Sequence, residues 1–600
     1  MGNFLLTIAP EHASANAAEL FRRGLKCARQ LKEQTPASLA ETTWARAAMF
    51  PRRNKSGSAI VTDEATQSWL LAVGTWFHAG GAASGEEGRL LVRALEIGAN
   101  NLANELEGFF VIVFADGRTR GVFIITDLIG SRHCFLRRIE GCVALSTSSL
   151  LLAGLAAAAP DKTGCEEFLR TGNVYEGRTL FEDVRKLPPA TVLRLAQNGD
   201  AEERVYWRIA DLAPERYDGK QAVKQLIPAL LTGAARIGKL FARPVCDLTG
   251  GYDSRAVVAA FLGAGVRFET TVAGAAASAD VVIAERLSDL TGKLHWHFEN
   301  TPVTTFNQLQ QTLQLTDGEC DVVDYARIQA LHQQLSQNFD ASINGSFGEL
   351  ARGYWWEVLW PQIGKRQKLN AAQIAARRYA VEPPGSLLFP PDASLNLVDH
   401  LSGVIERANA GLETAPNTLQ LDNLYLRLRM QHWQGRIASS TDQLWPCLSL
   451  FMLRSVLDVM LQTRARLRQR SLLMRMLLAE LQPRLAAVPL DAGHPALPLD
   501  WKTWPHFLPA AKVFAQKAWK KAMLQSEPGQ TDSARMRLWQ DAQVRELLRP
   551  EKMLAGEWLE RRQLETFLAA SRQPHFPFDP QWRRLLGLEM ALRCAVAVLE

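Results

Sequence analysis

The stretch Pro244-Val245-Cys246-Asp247-Leu248-Thr249-Gly250-Gly251-Tyr252-Asp253-Ser254-Arg255 constrains this chain more than any other. Its first five residues read as a short buried strand, and residues 256–262 form an apolar helical run, so the glycine pair falls in a turn from the strand into a helix. Paired glycines let backbone N–H groups approach an anion closely, and the N-terminus of the following helix adds partial positive charge. The hydroxyls of Thr249 and Ser254 supply further donors, and Asp253 is a carboxylate suited to Mg²⁺, a hard cation that takes carboxylate and phosphate oxygens. The spacing is neither Gly-x-x-x-x-Gly-Lys-Ser/Thr nor Gly-x-Gly-x-x-Gly, which excludes the kinase-type and dinucleotide-type loops. A purely structural tight turn is the alternative reading.

Composition narrows the setting. A length of 600 residues allows about four 150-residue units or two or three larger domains, and 47% hydrophobic with 22% charged residues excludes extensive disorder. A net charge of +6 suits an anionic ligand such as ATP and is too weak and dispersed for nucleic acid. The eight cysteines contain no C-x-x-C pair, so reduced, buried thiols are expected rather than zinc or disulfides. Residues 1–6 lack a signal-peptide pattern, and the apolar run 448–461 is broken by Arg454 and Asp458. A cytoplasmic protein without membrane or nucleic-acid partners is the expectation.

Along the chain, residues 70–78, 108–114, 122–126 and 142–147 read as strands, with turns at Asp116-Gly117 and Glu140-Gly141 and a helix over 89–106. Stacked sheets with helical layers follow. A linker is expected near 211–219. After the glycine loop, residues 268–274 read as a second strand and 280–290 as a helix, a pattern that predicts a parallel sheet with its ligand at the carboxyl ends of the strands. His295 and His297 form a candidate metal pair with no third ligand at suitable spacing, so an exposed strand end is the other reading. From residue 371 the chain turns helical, interrupted by a Pro/Gly-rich surface loop over 382–392, and Trp501, Trp504 and Trp519 lie in Lys-rich sequence ahead of the final helices.

The glycine loop resembles the Ser-Gly-Gly-x-Asp-Ser pyrophosphate loop of the ATP pyrophosphatases, with Thr249 in place of the first serine. Residues 106–110 (LEGFF), 126–130 (TDLIG), 145–148 (LSTS) and 178–189 (RTLFEDVRKLPP) resemble the class II glutamine amidotransferase domain of the asparagine synthetase B-like family, and the order of the two domains is that family's. The resemblance spans roughly residues 60 to 500. It implies an α+β N-terminal-nucleophile-like αββα sandwich over 1–208. It further implies an α/β parallel-sheet ATP-pyrophosphatase (adenine nucleotide α-hydrolase-like) domain with a helical C-terminal part over 209–600. It also implies Leu248, Thr249, Gly250, Gly251, Asp253, Ser254 and the backbone near Val272 as the ATP contacts, with Mg²⁺ on Asp253.

Two departures from the family stand out. A glutaminase of this class needs Cys after the initiator Met, and this chain has Gly2, so the first domain is expected not to hydrolyse glutamine. Residues 341–355 (ASINGSFGELARGYW) resemble the family's acidic Gly-Glu-Gly-x-Asp-Glu-Leu-Phe-Gly-Gly-Tyr segment, but Gly345 and Gly348 replace its first Glu and its Asp, while Glu349 keeps a carboxylate and Arg352 replaces a glycine. Glu349 and Arg352 are the candidate catalytic residues. Arg255 and Arg352 are expected either to bind phosphate or a substrate carboxylate or to pair with structural carboxylates, and Asp317, Glu319 and Asp321 are candidates to replace the missing acids. Arg470 is a candidate for the family's adenylate-stabilising lysine.

The expected function is an ATP-dependent, AMP- and pyrophosphate-forming amide ligase. It would join a small-molecule or peptide carboxylate to an amine through an acyl-adenylate, with a homodimer as a possible assembly. A lasso-peptide cyclase and a non-catalytic nucleotide-binding scaffold are the alternatives.

Overall fold

The computed structural model describes the whole chain except residues 1, 10–13, 54–58, 198–199, 300–304, 382–386, 390–394, 500, 502, 508–532 and 598–600. The expected loop at 382–392 lies mostly outside the described residues, and Trp519 lies outside them altogether.

The first unit is built from β1 (Asn3–Ile8), β2 (Ser38–Glu41), β3 (Ala45–Phe50), β4 (Val61–Asp63), β5 (Ser68–His78), β6 (Leu106–Asp116), β7 (Gly121–Thr126), β8 (Phe135–Ile139), β9 (Cys142–Ser146), β10 (Arg185–Lys186), β11 (Thr191–Leu195) and β12 (Ala201–Val205). They form two six-stranded sheets, ordered β10-β8-β9-β1-β3-β2 and β12-β11-β7-β6-β5-β4, with antiparallel pairing throughout. Alternation along β1 shows how the sheets stack. Phe4, Leu6 and Ile8 enter the core shared with the second sheet, while Leu5 faces the helices Ser14–Lys32 and Ser149–Gly154 on the outside. The segment that the sequence marked only as lacking a leader pattern is therefore a strand paired on both sides, to β3 and β9.

The second unit centres on five parallel strands: β13 (Pro244–Asp247), β14 (Glu269–Ala273), β15 (His295–Phe298), β16 (Ala341–Asn344) and β17 (Cys447–Ser449). Their order is β15-β14-β13-β16-β17. The chain leaves β13 toward one edge and later returns to its other side as β16, so the loops after β13 and β16 diverge from one crevice at the strands' carboxyl ends. Asp218 caps the helix Gly219–Leu240 ahead of this sheet in a reciprocal capping box with Gln221, which gives the expected linker a defined end.

The units share packing. Phe77, Phe109, Leu128 and Ile129 of the first lie in one core with β13, the helix Tyr252–Gly263 and the helix Gly219–Leu240. The last helices, including Asp579–Ala597, pack on the outer helices of the first sheet. Buried charge fills the seam. Lys32 Nζ donates to Asp317 Oδ1, Ser148 Oγ and Ser149 N donate to the same carboxylate at 2.8 and 3.1 Å, and Ser149 Oγ donates to Glu319 at 2.7 Å. Arg436 lies 3.6 Å from both acids, and Asp442 accepts from Arg52. Asp321 pairs with Arg583 at 2.9 Å and caps the helix Val322–Asn338. The acids expected to replace the missing metal ligands are thus structural, because each is engaged at this seam or at the helix behind it.

Asp317 is fully buried and burial lowers the pKa of its partner Lys32, so Asp317→Ala strands a cation and two serine donors. A loss of about 3–5 kcal/mol is expected from urea midpoints, with a smaller loss for Asp317→Asn.

Candidate anion site at the parallel-sheet switch point

β13 ends at Asp247, Leu248 N donates to Thr271 O of β14 at 2.8 Å, and the chain then turns through Thr249-Gly250-Gly251 into the helix Tyr252–Gly263. No side chain caps this helix at Gly251, so its first-turn N–H groups face the crevice. Ser254 Oγ folds back to accept from Thr249 N at 3.0 Å and lies 3.0 Å from Thr249 Oγ1, which accepts from Gly251 N at 3.3 Å. The loop is thereby shaped by the two hydroxyls that sequence reasoning singled out. The N–H of Gly250 donates to Asp280 Oδ1 at 2.9 Å, a partner from the first turn of the helix Ala279–Thr291. No pattern in the sequence links residues 250 and 280.

The turn after β16 closes the crevice from the other side. A Cβ at Gly345 would lie 2.7 Å from Ser254 N, and one at Gly348 would lie 2.7 Å from Asp253 Cβ and Cγ. These are the positions where the family resemblance puts acids. Here the backbone rests directly on Asp253, and no longer side chain fits. Arg352, at the end of this turn, donates from Nε and Nη2 to the two oxygens of Asp253 at 3.0 and 2.6 Å, a bidentate pair. Glu349 Oε2 accepts from the Tyr425 hydroxyl at 2.9 Å, an interaction with no sequence signal. Arg352 and Arg475 approach the ring of Tyr252 at 5.8 and 5.6 Å, so two guanidiniums flank the first residue of the helix that follows the loop.

Mg²⁺ on Asp253 meets a different arrangement. Both Asp253 oxygens accept from Arg352, glycines stand at the other acidic positions, and Glu349 is engaged by Tyr425. Among the described residues no cluster of three or more His, Cys, Asp or Glu is placed to hold a metal ion. As folded, these donors do not fit a protein-held divalent cation, and the Arg352 guanidinium lies where one would approach Asp253.

Arg255 is fully buried, and its hydrogen bonds go to main-chain carbonyls rather than to a structural carboxylate. It donates to Leu485 O, Val488 O and Gly250 O at 2.9, 2.6 and 3.2 Å, tying the loop to the end of the helix Pro483–Ala487. Burial lowers its pKa to about 10. Val272 buries its side chain in the core, with its backbone on the strand beside the loop. His295 and His297 are each bonded to the neighbouring strand's chain, to Thr270 Oγ1 at 2.9 Å and Gly274 O at 2.7 Å, which removes the case for a metal pair. Arg470 sits at a left-handed kink, φ 52°, between two helical turns. Asp247, at the end of β13, is a carboxyl that burial pushes up to about 7, and nothing in the sequence around it marks it as a site residue.

Burial pushes the Asp253 carboxyl up to about 6, against the pull of Arg352 and with a further push from Glu349. A raised folded-state value means that the contribution of Asp253 to stability is full below its unfolded value near 4 and is lost as pH rises through about 6. Between about pH 4 and about pH 7 the wild type is therefore expected to lose about 2 kcal/mol relative to Asp253→Asn, read from urea midpoints. A pH-independent difference would contradict the assignment.

Comparison with known proteins bears on the first unit. Residues 83–207 match the family model described as a glutamine amidotransferase domain. A search of curated proteins gives no match. Among solved structures, one titled as the allosteric regulatory enzyme of purine biosynthesis is similar at 9% identity and TM-score 0.24, covering 45% of this chain and 64% of that one, so the chain spans less than two thirds of its length. Glutamine phosphoribosylpyrophosphate amidotransferase from B. subtilis, complexed with ADP and GMP, is similar at 9% identity and TM-score 0.23, covering 51% of this chain and 67% of that one. Scores this low carry no argument, and the two stacked antiparallel sheets stand on their own pairing. What the family match establishes is that residues 83–207 form a glutamine amidotransferase-type domain.

Proposed function

We propose that the chain is an ATP-dependent amide ligase of the asparagine synthetase type. A substrate carboxylate oxygen attacks the α-phosphorus of ATP, the α–β phosphoanhydride bond breaks, and pyrophosphate leaves. An amine nitrogen then attacks the acyl carbon and passes a proton to Glu349, and AMP departs with the C–O bonding pair. The observation that carries this reading is the switch point between β13 and β16, where the Thr249–Ser254 loop, an uncapped helix N-terminus and the Glu349–Arg352 turn converge. Thr249, Gly250, Gly251 and Ser254 would hold the pyrophosphate portion, with Leu248 and the backbone of Val272 beside the adenine. Gly250 would release Asp280 to do so. Arg352 would exchange Asp253 for developing negative charge, and Glu349, oriented by Tyr425, would meet the incoming amine. No step is assigned to a protein-held Mg²⁺. Separate carboxylate and amine partners, or one peptide carrying both as in lasso-peptide cyclisation, would use the same chemistry.

ATP–pyrophosphate exchange over a panel of carboxylates and peptides tests the reading. Exchange in the wild type, reduced about 100-fold in Ser254→Ala, is expected. ATP binding without exchange or AMP release would favour the nucleotide-binding scaffold instead, a reading supported by the closed Asp253–Arg352 pair.

The amine is proposed to come preformed. Residue 2 is a buried glycine whose Cβ would lie 2.5 Å from Pro51 O, and its carbonyl accepts from buried Arg132. Neither the wild type nor Gly2→Cys is expected to release glutamate from glutamine. The variant should lose about 1–3 kcal/mol of stability by overpacking. Glutaminase-level release from either protein would overturn this part of the proposal.

A further inference from the structure

A cavity of about 380 Å³ lies where the two units meet, and its lining shares no residue with the loop at 249–254 or the turn Gly348–Arg352. The amidotransferase-type unit contributes Lys186, Leu187 and Pro188 to its wall. The second unit contributes Arg427, Leu428 and His432, all on the π-helical segment Tyr425–Gln434. Neither unit forms the cavity alone.

The charges facing it do not balance. Arg407, also on the wall, is answered by Glu176, to which its Nε and Nη2 donate at 2.7 and 3.1 Å. Lys186 is buried, and its Nζ donates at 3.1 Å to His432 Nδ1, a ring whose own pKa burial pushes down, so that it stays neutral. Glu319 and Glu167 act on Lys186 only from a distance, since Glu319 accepts from Ser149 and Glu167 from Tyr175 N and His400. Arg427 has no hydrogen bond or ion pair among the described residues, and the charged neighbour that bears on it is Arg208, which repels it. Two basic groups therefore converge on one cavity with no carboxylate bonded to either, Lys186 with its pKa lowered to about 8 by burial and Arg427 partly exposed, an arrangement that an anion would complete. Beside them, Leu187, Pro188 and Leu428 offer apolar surface. A few convergent polar groups against an apolar wall, in a volume of this size, is the usual make-up of a small-molecule site.

We propose that this cavity binds a small carboxylate with an apolar body, its carboxylate held by Arg427 and Lys186 and its tail laid on Leu187, Pro188 and Leu428. The guanidinium fork of Arg427 matches a carboxylate bidentately, and Lys186 adds a point charge behind it. The site is independent of the ligase reading and stands whether or not ATP is turned over.

Calorimetric titration of the full chain with hexanoate, acetate and hexylamine tests it. Hexanoate is expected to bind saturably, acetate at least tenfold more weakly for want of buried methylenes, and hexylamine not at all. Arg427→Gln should weaken hexanoate by about 10- to 100-fold, and Arg427→Lys by less, with the far-UV circular dichroism unchanged. No saturable heat with hexanoate, equal binding of hexylamine, or undiminished affinity in Arg427→Gln would each overturn the proposal. If Arg427→Gln does not fold, the contrast between hexanoate and hexylamine on the wild type decides the matter.

Discussion

The buried carboxylate of Asp317 holds the molecule's two halves in register. It accepts from Lys32 at the end of the first long helix and from Ser148 and Ser149 after β9, with Arg436 beside it. A buried ion pair contributes little net stability but makes any misalignment expensive, since each displaced charge would be left without water or partner. The same logic extends through Arg52 and Asp442, and through Asn3, whose side-chain amide donates to Gln443 at 2.8 Å. The amidotransferase-type unit is thus locked onto the helix that precedes β17 rather than tethered by a linker. That fixed relation is what allows a cavity walled by Lys186 on one side and Arg427 on the other to have a definite shape.

Around the parallel sheet the governing contact is steric. Gly345 and Gly348 bring the turn after β16 down onto Asp253, and this close approach places Arg352 within bidentate reach of the carboxylate. Glycine at both positions and a guanidinium at Arg352 therefore go together in this turn. Arg352 and Arg475 lie about Tyr252, and burial holds the Asp253 carboxyl up at about 6. The segment Tyr425–Gln434 serves both regions. Tyr425 orients Glu349, and two residues on, Arg427 enters the interdomain cavity.

Local signals in the chain carried a good deal of this. The apolar runs over 70–78 and 108–114, the strand–turn–helix around Gly250-Gly251 and the second strand near 268–274 match the structure, because each is set by neighbours within a few residues. The helix over 89–106 is shorter in the structure, Glu87–Ile97, and breaks at Gly98 before a second short turn. β1 is buried on both faces, one against each layer, as β5 and β6 are, but its 6 residues are a much shorter apolar run than the 11 of either of those strands. Arg255 is the most instructive case. Its place beside an anion loop suggested an anion, yet it satisfies main-chain carbonyls of a helix more than two hundred residues away.

The sequence by itself determined the glycine loop, its hydroxyls, the parallel-sheet pattern around it and the absence of a thiol at residue 2, all of which depend on residue type and short-range spacing. Tertiary structure alone decided which charges meet. It alone sent Asp317, Glu319 and Asp321 to structural partners rather than to the loop, paired Asp253 with Arg352, and left Arg427 and Lys186 facing a shared cavity. The physical reason is that a charged side chain finds its partner in space, at a few ångströms, across separations in the chain that carry no periodic signal.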